Sequence, residues 1–338
     1  MKILVTGGLG FIGSHTVVEL QQEGFEVVII DNLSNSSADV MDGIETITGI
    51  KPLFENIDLR NKISVQSFFE KHTDINGVIH FAASKAVGES VENPLLYYEN
   101  NINSLVYLLQ ELQQKEESCF IFSSSCTVYG QAEQMPITEH APVQSALSPY
   151  GNTKQIGEEI INDVAKVSSV RAVLLRYFNP IGAHPSIAIG ELPLGVPQNL
   201  VPFITQTAIG LRKELSVFGN DYPTPDGTAI RDYIHVVDLA KSHVIALQRL
   251  IAKKNVDKVE VFNIGTGTGS SVLDVIEAFE AVANQKLPYK IVGRREGDVV
   301  VAYANTDKAN QVLGWKAELS LRDALESAWR WEQKIRKE

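Results

Sequence analysis

The sequence predicts an α/β chain: a doubly wound parallel sheet over residues 1–180, then a smaller α/β lobe over 181–338. Three observations carry this prediction. Short apolar runs rich in β-branched or aromatic residues recur at 2–5, 26–30, 53–55, 77–81, 119–123 and 172–177. Longer amphipathic stretches at 12–22, 63–71, 95–114 and 149–167 separate them. The strand runs do not alternate with polar residues, as expected of parallel strands buried on both faces.

The first run leads directly into Thr6-Gly7-Gly8-Leu9-Gly10-Phe11-Ile12-Gly13. Gly7 permits a tight turn, Gly10 lets backbone approach a pyrophosphate, and Gly13 allows close helix–strand packing. The helix beginning near Phe11 and Ile12 points free N–H groups at the phosphates. Asp31 closes the second run, 18 residues beyond Gly13, with Asn32 beside it. A carboxylate there accepts bonds from both ribose hydroxyls and repels a 2′-phosphate, so the expected cofactor is NAD rather than NADP in a Rossmann-type domain. Asp58 and Leu59 follow the third run, where the adenine would lie. Asp58 is equally read as a cap for the helix starting near Asn61. Phe81-Ala82-Ala83-Ser84-Lys85 ends the fourth run at the carboxyl edge, where such sheets bind ligands, and Lys85 is either a cofactor contact or a surface lysine.

The fifth run ends in Ser123-Ser124-Ser125, and the next helical stretch carries Tyr150-Gly151-Asn152-Thr153-Lys154. Tyrosine and lysine four apart share one helix face. A free tyrosine titrates near about 10. A nearby ammonium and a bound nicotinamide cation both favour its phenolate, and about 4 kcal/mol brings it to about 7. Such a phenolate takes a proton from a sugar hydroxyl while the nicotinamide takes the hydride.

After Phe178-Asn179-Pro180 the pattern changes. Residues 181–199 read as a Pro- and Gly-rich loop leaving the sheet. The remainder mixes strands at 215–218, 259–264 and 289–292 with helices, and part of 231–265 is expected to return to the first domain. A second cluster, Gly265-Thr266-Gly267-Thr268-Gly269, reads as a turn into a helix capped by Ser271 with Asp274.

Composition narrows the classes. The net charge of −11 argues against nucleic acid and against an anionic membrane surface. The two cysteines, Cys119 and Cys126, show no metal spacing and fit a reducing compartment. The chain enters a strand at once and has no apolar run long enough to span a bilayer, so a cytoplasmic location is expected. The seven histidines are scattered, without His-Glu-x-x-His, and no metal site is expected. No Gly-x-Ser-x-Gly elbow suggests a serine hydrolase.

The glycine loop, the serine-rich strand end and Tyr150-x-x-x-Lys154 together resemble the extended short-chain dehydrogenase/reductases. More specific stretches narrow the resemblance: His80-Phe81-Ala82-Ala83, Lys85-Ala86-Val87-Gly88-Glu89-Ser90, Arg176-Tyr177-Phe178-Asn179-Pro180, Phe218-Gly219-Asn220-Asp221-Tyr222-Pro223, Arg231-Asp232-Tyr233-Ile234-His235-Val236 and Arg294-Arg295-Glu296-Gly297-Asp298. Over nearly the whole chain these look like the UDP-glucose 4-epimerase family.

The resemblance implies interconversion of UDP-galactose and UDP-glucose through a 4-keto sugar, with NAD retained. It implies that Tyr150 is the base, that Ser125 holds the 4-oxygen, and that Lys154 binds the ribose and tunes Tyr150. By match to family positions, Asp31, Asp58, Lys85, Asn100 and Phe178 would contact NAD. Asn179, Asn199, Leu200, Ser216, Phe218, Arg231, Arg295 and Asp298 would contact the UDP-sugar. Ala302 would line the sugar pocket, and its small size implies that the UDP-N-acetylglucosamine and UDP-N-acetylgalactosamine pair is accepted too. The family's homodimers would form here through a four-helix bundle of 95–114 and 149–167.

Two rivals stand beside this reading. Nucleotide-sugar 4,6-dehydratases and decarboxylases resemble the chain but carry an acid just before Val-Tyr-Gly, where this chain has Ser125-Cys126-Thr127. A non-enzymatic NAD-binding sensor tends to lose the Tyr/Lys pair, which is intact here.

Overall fold

The computed structural model describes residues 1–295 and 298–337. Strands β1 (Lys2–Thr6), β2 (Glu26–Asp31), β3 (Leu53–Asn56), β4 (Ile75–His80), β5 (Ser118–Ser125) and β6 (Val170–Tyr177) are linked by helices. These helices are α1 (Phe11–Gln22), α2 (Val40–Thr48), α3 (Lys62–Lys71), α4 (Val87–Glu92), α5 (Pro94–Leu112) and α6 (Pro149–Val167). The C-terminal part contains β7 (Asn179–Ile181), α7 (Leu200–Ala208), β8 (Leu215–Phe218), β9 (Ile230–Arg231), β10 (Tyr233–His235), α8 (Val236–Ile251) and β11 (Val259–Ile264). It ends with β12 (Ser270–Ser271), α9 (Val272–Ala283), β13 (Tyr289–Val292), β14 (Val301–Ala302) and α10 (Leu321–Ile335).

The main sheet has seven strands in the order β3-β2-β1-β4-β5-β6-β11, and every pairing is parallel. Its two faces follow from the two-residue period of a strand. Ile3 and Val5, Cys119 and Ile121, and Val173 and Leu175 enter one core with Val17 of α1 and Leu247 of α8. The intervening Leu4, Phe120, Phe122 and Leu174 enter the other, with Phe68 of α3, Leu105 of α5 and Ile161 of α6. Truncating one of these fully buried side chains to alanine costs about 2–5 kcal/mol.

The apolar spacing anticipates α1, α3, α5 and α6, but the structure adds α2 and α4. In α2 only Ile44 is buried, so little of the apolar pattern marks it. The strand at 259–264, within the 231–265 stretch of which part is expected to return to the first domain, is β11 and forms the edge of the main sheet against β6. Helix α8 packs on α1 beneath that sheet.

Three short pairings, β7 with β10, β12-β9-β14 and β13 with β8, make up the rest of the described sheets. The β7–β10 and β13–β8 pairs rest on a separate core where Ile204 of α7, Phe279 of α9 and Leu325 of α10 meet. Ser271 accepts from the Asp274 N–H while Asp274 accepts from the Ser271 N–H, so the second glycine cluster does turn into a capped helix. Among the described residues, no helix is long and apolar enough to cross a membrane.

Candidate active site

Strand order reverses between β1 and β4, and sheets of this kind bind ligands at the carboxyl edge of such a switch point. The glycine loop follows β1 at that edge. Gly7 has φ +67, a left-handed conformation that disfavours a side chain, and a Cβ on it would stand 2.8 Å from the Ala82 nitrogen. A Cβ on Gly13 would stand 2.2 Å from the Gly7 carbonyl oxygen. Gly10 precedes α1 without a side-chain cap, and no acid occupies the first turn. Phe11 and Ile12 begin that turn. The result is a backbone cradle with free N–H groups, which fits a dinucleotide pyrophosphate.

Asp31 is buried at the end of β2. One of its oxygens accepts from the Leu9 N–H at 3.2 Å; the other accepts from the Leu33 N–H at 3.0 Å and the Ser36 hydroxyl at 2.8 Å. The carboxylate thus braces the glycine loop against the turn containing Asn32. A carboxylate has about four acceptor positions, which leaves capacity for a ribose hydroxyl.

The alternative reading of Asp58 as a helix cap is corrected here: Asn61 caps α3 by accepting from Ser64 N–H. Asp58 instead grips Arg60, through its backbone N–H and through the guanidinium at 2.6 Å, and this holds its carboxyl below the usual range. Leu59, next to it, is buried. Beyond β4, Phe81 donates its N–H to the Thr6 carbonyl, and Ala82 sits over Gly7. Asn100 donates to the Ser84 hydroxyl at 3.0 Å. Its neighbour Asn101, which carries no sequence signal, is more deeply buried and bonds the Ser84 backbone on both sides as well as Thr153 of α6.

The serine run meets α6 at the centre. Ser148 caps the helix by accepting from the Gly151 N–H at 3.1 Å. One turn in, Tyr150 and Lys154 are both buried. The Lys154 ammonium donates to the Ser123 carbonyl at 2.7 Å, 5.8 Å from the Tyr150 ring centroid and 5.0 Å from that of Phe122. Ser125 accepts from the Thr127 N–H at 3.2 Å.

Burial dominates the electrostatics. It pushes the Tyr150 phenol well above its ordinary value, against the opposing pull of the Ser125 hydrogen bond. It pushes Lys154 down to about 8, against the pull of Glu158. The protein alone therefore does not lower the Tyr150 value as the sequence suggested, because desolvating a phenolate costs more than its protein neighbours return.

The residues expected to contact the UDP-sugar come mostly from the smaller lobe. Arg231 of β9 reaches Asp298 at 3.2 Å, and Arg295 approaches the other Asp298 oxygen at 4.0 Å while lying 4.9 Å over the Phe218 ring. Ser216 is half-buried two residues before Phe218 on β8. Glu296 and Gly297 lie outside the described residues. Leu200 starts α7; Asn199 precedes it without capping it, and its amide donates to Glu191 at 2.7 Å. Lys85 pairs with that same glutamate at 3.7 Å. Phe178 is buried and donates to the Ile264 carbonyl, and Asn179 begins β7 beside it. Ala302, on β14, is 7% exposed and shares a cluster with Phe178, Tyr129 and Val128.

Several contributors have no individual role assigned from sequence, although Arg176, Tyr177 and Asp232 stand in stretches that carry the resemblance. Asp232, fully buried, accepts from Thr266, Gly267 and Ala304 and so holds the second glycine cluster. The Tyr177 hydroxyl bonds Ser123. Glu158 and Arg176 form a buried ion pair behind the serines.

The site can be set beside known proteins. A family model described as GDP-mannose 4,6 dehydratase matches residues 4–328. The UDP-glucose 4-epimerase of Bacillus subtilis (strain 168) is 49% identical over 333 residues, 98% of this chain and 97% of that protein. Among solved structures, UDP-glucose-4-epimerase from Stenotrophomonas maltophila, with bound NAD and formylated UDP-arabinopyranose, superposes with a TM-score of 0.95 at 46% identity, over 100% of this chain and 99% of that one. The UDP-Glc/GlcNAc 4-epimerase of Campylobacter jejuni superposes with a TM-score of 0.84 at 34% identity, over 98% of this chain and 99% of that one.

Proposed function

The chain belongs to the UDP-glucose 4-epimerase family, and from that membership we propose that it is an NAD-dependent isomerase interconverting UDP-galactose and UDP-glucose. The single observation that supports this is that Tyr150 and Lys154 are buried on one face of α6, with Lys154 bonded to the serine run at the carboxyl end of β5, the same sheet edge at which β1 enters the glycine loop.

The residues present fit NAD. The cradle has no room for a Cβ at Gly13, α1 opens with unpaired N–H groups, and the Asp31 carboxylate suits an unphosphorylated ribose. When bound, NAD supplies the acceptor and later the donor of the sugar C4 hydride. The rest falls to the chain. Ser125 hydrogen-bonds the 4-oxygen of the sugar. Tyr150, as phenolate, takes the 4-hydroxyl proton and returns it to the oxygen of the 4-keto sugar after that sugar has turned over. Lys154 holds a positive charge near that phenolate and reaches the ribose. Every positive charge brought to Tyr150 opposes the desolvation that otherwise keeps it neutral.

Arg231 and Arg295 present forked donors to the diphosphate, with Asn199, Leu200, Asn179, Ser216 and Phe218 completing the nucleotide side. Asp298, paired with Arg231 at 3.2 Å and near Arg295 at 4.0 Å, would contact the UDP-sugar beside them. The family model's dehydratase name does not extend to elimination here, because Ser125-Cys126-Thr127 offers no acid to remove water. The N-acetylated pair is included in the proposal. The support is Ala302 and the similarity to a Glc/GlcNAc enzyme.

The protein is also proposed to be a cytoplasmic homodimer. Helices α5 and α6 pack side by side, leaving Leu95 and Leu96 exposed and Ile102, Val106, Ile156 and Ile160 only half-buried, a face suited to a second copy. Light scattering at micromolar concentration checks this, and a monomer mass refutes the bundle.

The test of function is incubation of the purified protein with UDP-galactose and no added cofactor, followed by chromatography of the products. UDP-glucose is expected. Strict dependence on added NAD, or net reduction of NAD, sinks the reading.

A further inference from the structure

Behind the serine run lies an arrangement that the reaction as described does not use. Glu158 stands one helical turn beyond Lys154 on the same face of α6. Arg176 of β6 clamps it with two bonds, at 2.9 Å and 2.5 Å, and both side chains are under a tenth exposed. Ser124 donates its hydroxyl to the same carboxylate at 2.5 Å. The Arg176 guanidinium also lies 4.8 Å over the ring of Tyr129, whose hydroxyl donates to Asn263. A buried ion pair is weak evidence for stability, since desolvation offsets its attraction, so its position is the informative feature.

Ser124 sits between the two serines that matter to the site. Ser123 offers its carbonyl to Lys154, and Ser125 is near enough to Tyr150 to oppose the upward shift of its phenol. Glu158 therefore ties the end of β5 to the helix that carries both Tyr150 and Lys154.

The charges around Lys154 are few. On β4, His80 is pushed down to about 3 by burial and stays neutral. Burial pushes Cys126, beyond β5, up to about 11, and Tyr177, on β6, up to about 12. Tyr129 is raised to about 12, and Tyr97 of α5 and Tyr150 itself are raised too. Apart from Tyr150, whose phenolate the reaction requires, all are uncharged near neutrality, and the permanent charges left are Glu158 and Arg176. Of these, Glu158 favours the ammonium of Lys154.

We propose that Glu158, clamped by Arg176 and bonded by Ser124, is a positioning residue that keeps Lys154 charged and in register with Tyr150. This rests on the epimerase reading above.

The experiment compares wild-type holoenzyme with Glu158→Gln, which keeps shape and an acceptor for Ser124 but removes the charge. The alkaline limb of the kcat profile on UDP-galactose should move down by about one pH unit, with KM nearly unchanged. In parallel, acetic anhydride labelling of Lys154 across pH, read by peptide mass spectrometry, reports its neutral fraction without needing turnover. That labelling should begin at lower pH in the variant. An unmoved limb with unmoved labelling overturns the proposal. If Glu158→Gln does not fold, Ser124→Ala leaves the ion pair whole and should lower kcat several-fold at unchanged KM; an unchanged kcat there also overturns it. A wild type inert on UDP-galactose would instead sink the epimerase reading, and the labelling would still decide the role of Glu158.

Discussion

Replacing Tyr150 with phenylalanine removes one oxygen atom from a side chain that is only 9% exposed. The ring keeps its packing. Ser125 keeps its bond from the Thr127 N–H at 3.2 Å, and at most one hydrogen bond, toward Ser125, is lost. Such a loss costs about 1 kcal/mol, against roughly 5–15 kcal/mol of folding stability. The chemical loss is larger. A general acid–base group contributes about 10²–10⁴ in rate, or about 2.7–5.5 kcal/mol at about 1.36 kcal/mol per decade. The variant should therefore fold, retain NAD and turn over UDP-galactose at least about a hundredfold more slowly. Because burial raises Tyr150, wild-type kcat should climb with pH as the phenolate forms, up to the alkaline limb where Lys154 loses its proton, and this climb should vanish in the variant. The assay follows UDP-glucose by chromatography over a pH series, with thermal denaturation and nucleotide content measured on the same samples. Near-normal turnover at normal nucleotide content would remove Tyr150 from the chemistry.

Three further changes probe the site. Gly13→Ala places a methyl 2.2 Å from the Gly7 carbonyl oxygen, so the cradle must open; nucleotide released on denaturation should fall sharply, and undiminished retention refutes the cradle. Asp31→Asn puts an amide NH2 among three donors that now point at carboxylate oxygens, so NAD should be held less tightly and NADP discriminated against less; an unchanged NAD/NADP preference by competition binding shows that Asp31 does not face the ribose. Ala302→Tyr adds a ring beside Phe178 and Tyr129 and should suppress kcat/KM for UDP-N-acetylgalactosamine far more than for UDP-galactose; equal losses for both sugars refute the size argument.

The sequence by itself determined whatever depends on local spacing. Ile3 and Val5 face one way and Leu4 the other because a strand repeats every two residues, and the parallel sheet follows. Gly7, Gly10 and Gly13 are legible because few other residues tolerate those turns and approaches. Tyr150 and Lys154 share a face because a helix repeats every 3.6 residues. Only the tertiary structure decided the partners. Arg176 meets Glu158 because parallel pairing sets β6 beside β5 under α6, and Asp232 reaches Thr266 because β7 and β10 pair next to the end of β11. Burial likewise belongs to the assembled fold. The same Tyr-x-x-x-Lys spacing on an exposed helix leaves both groups near their ordinary values, whereas the surrounding sheet and helices strip water from them. That desolvation is why the charge needed at Tyr150 cannot come from Lys154 alone.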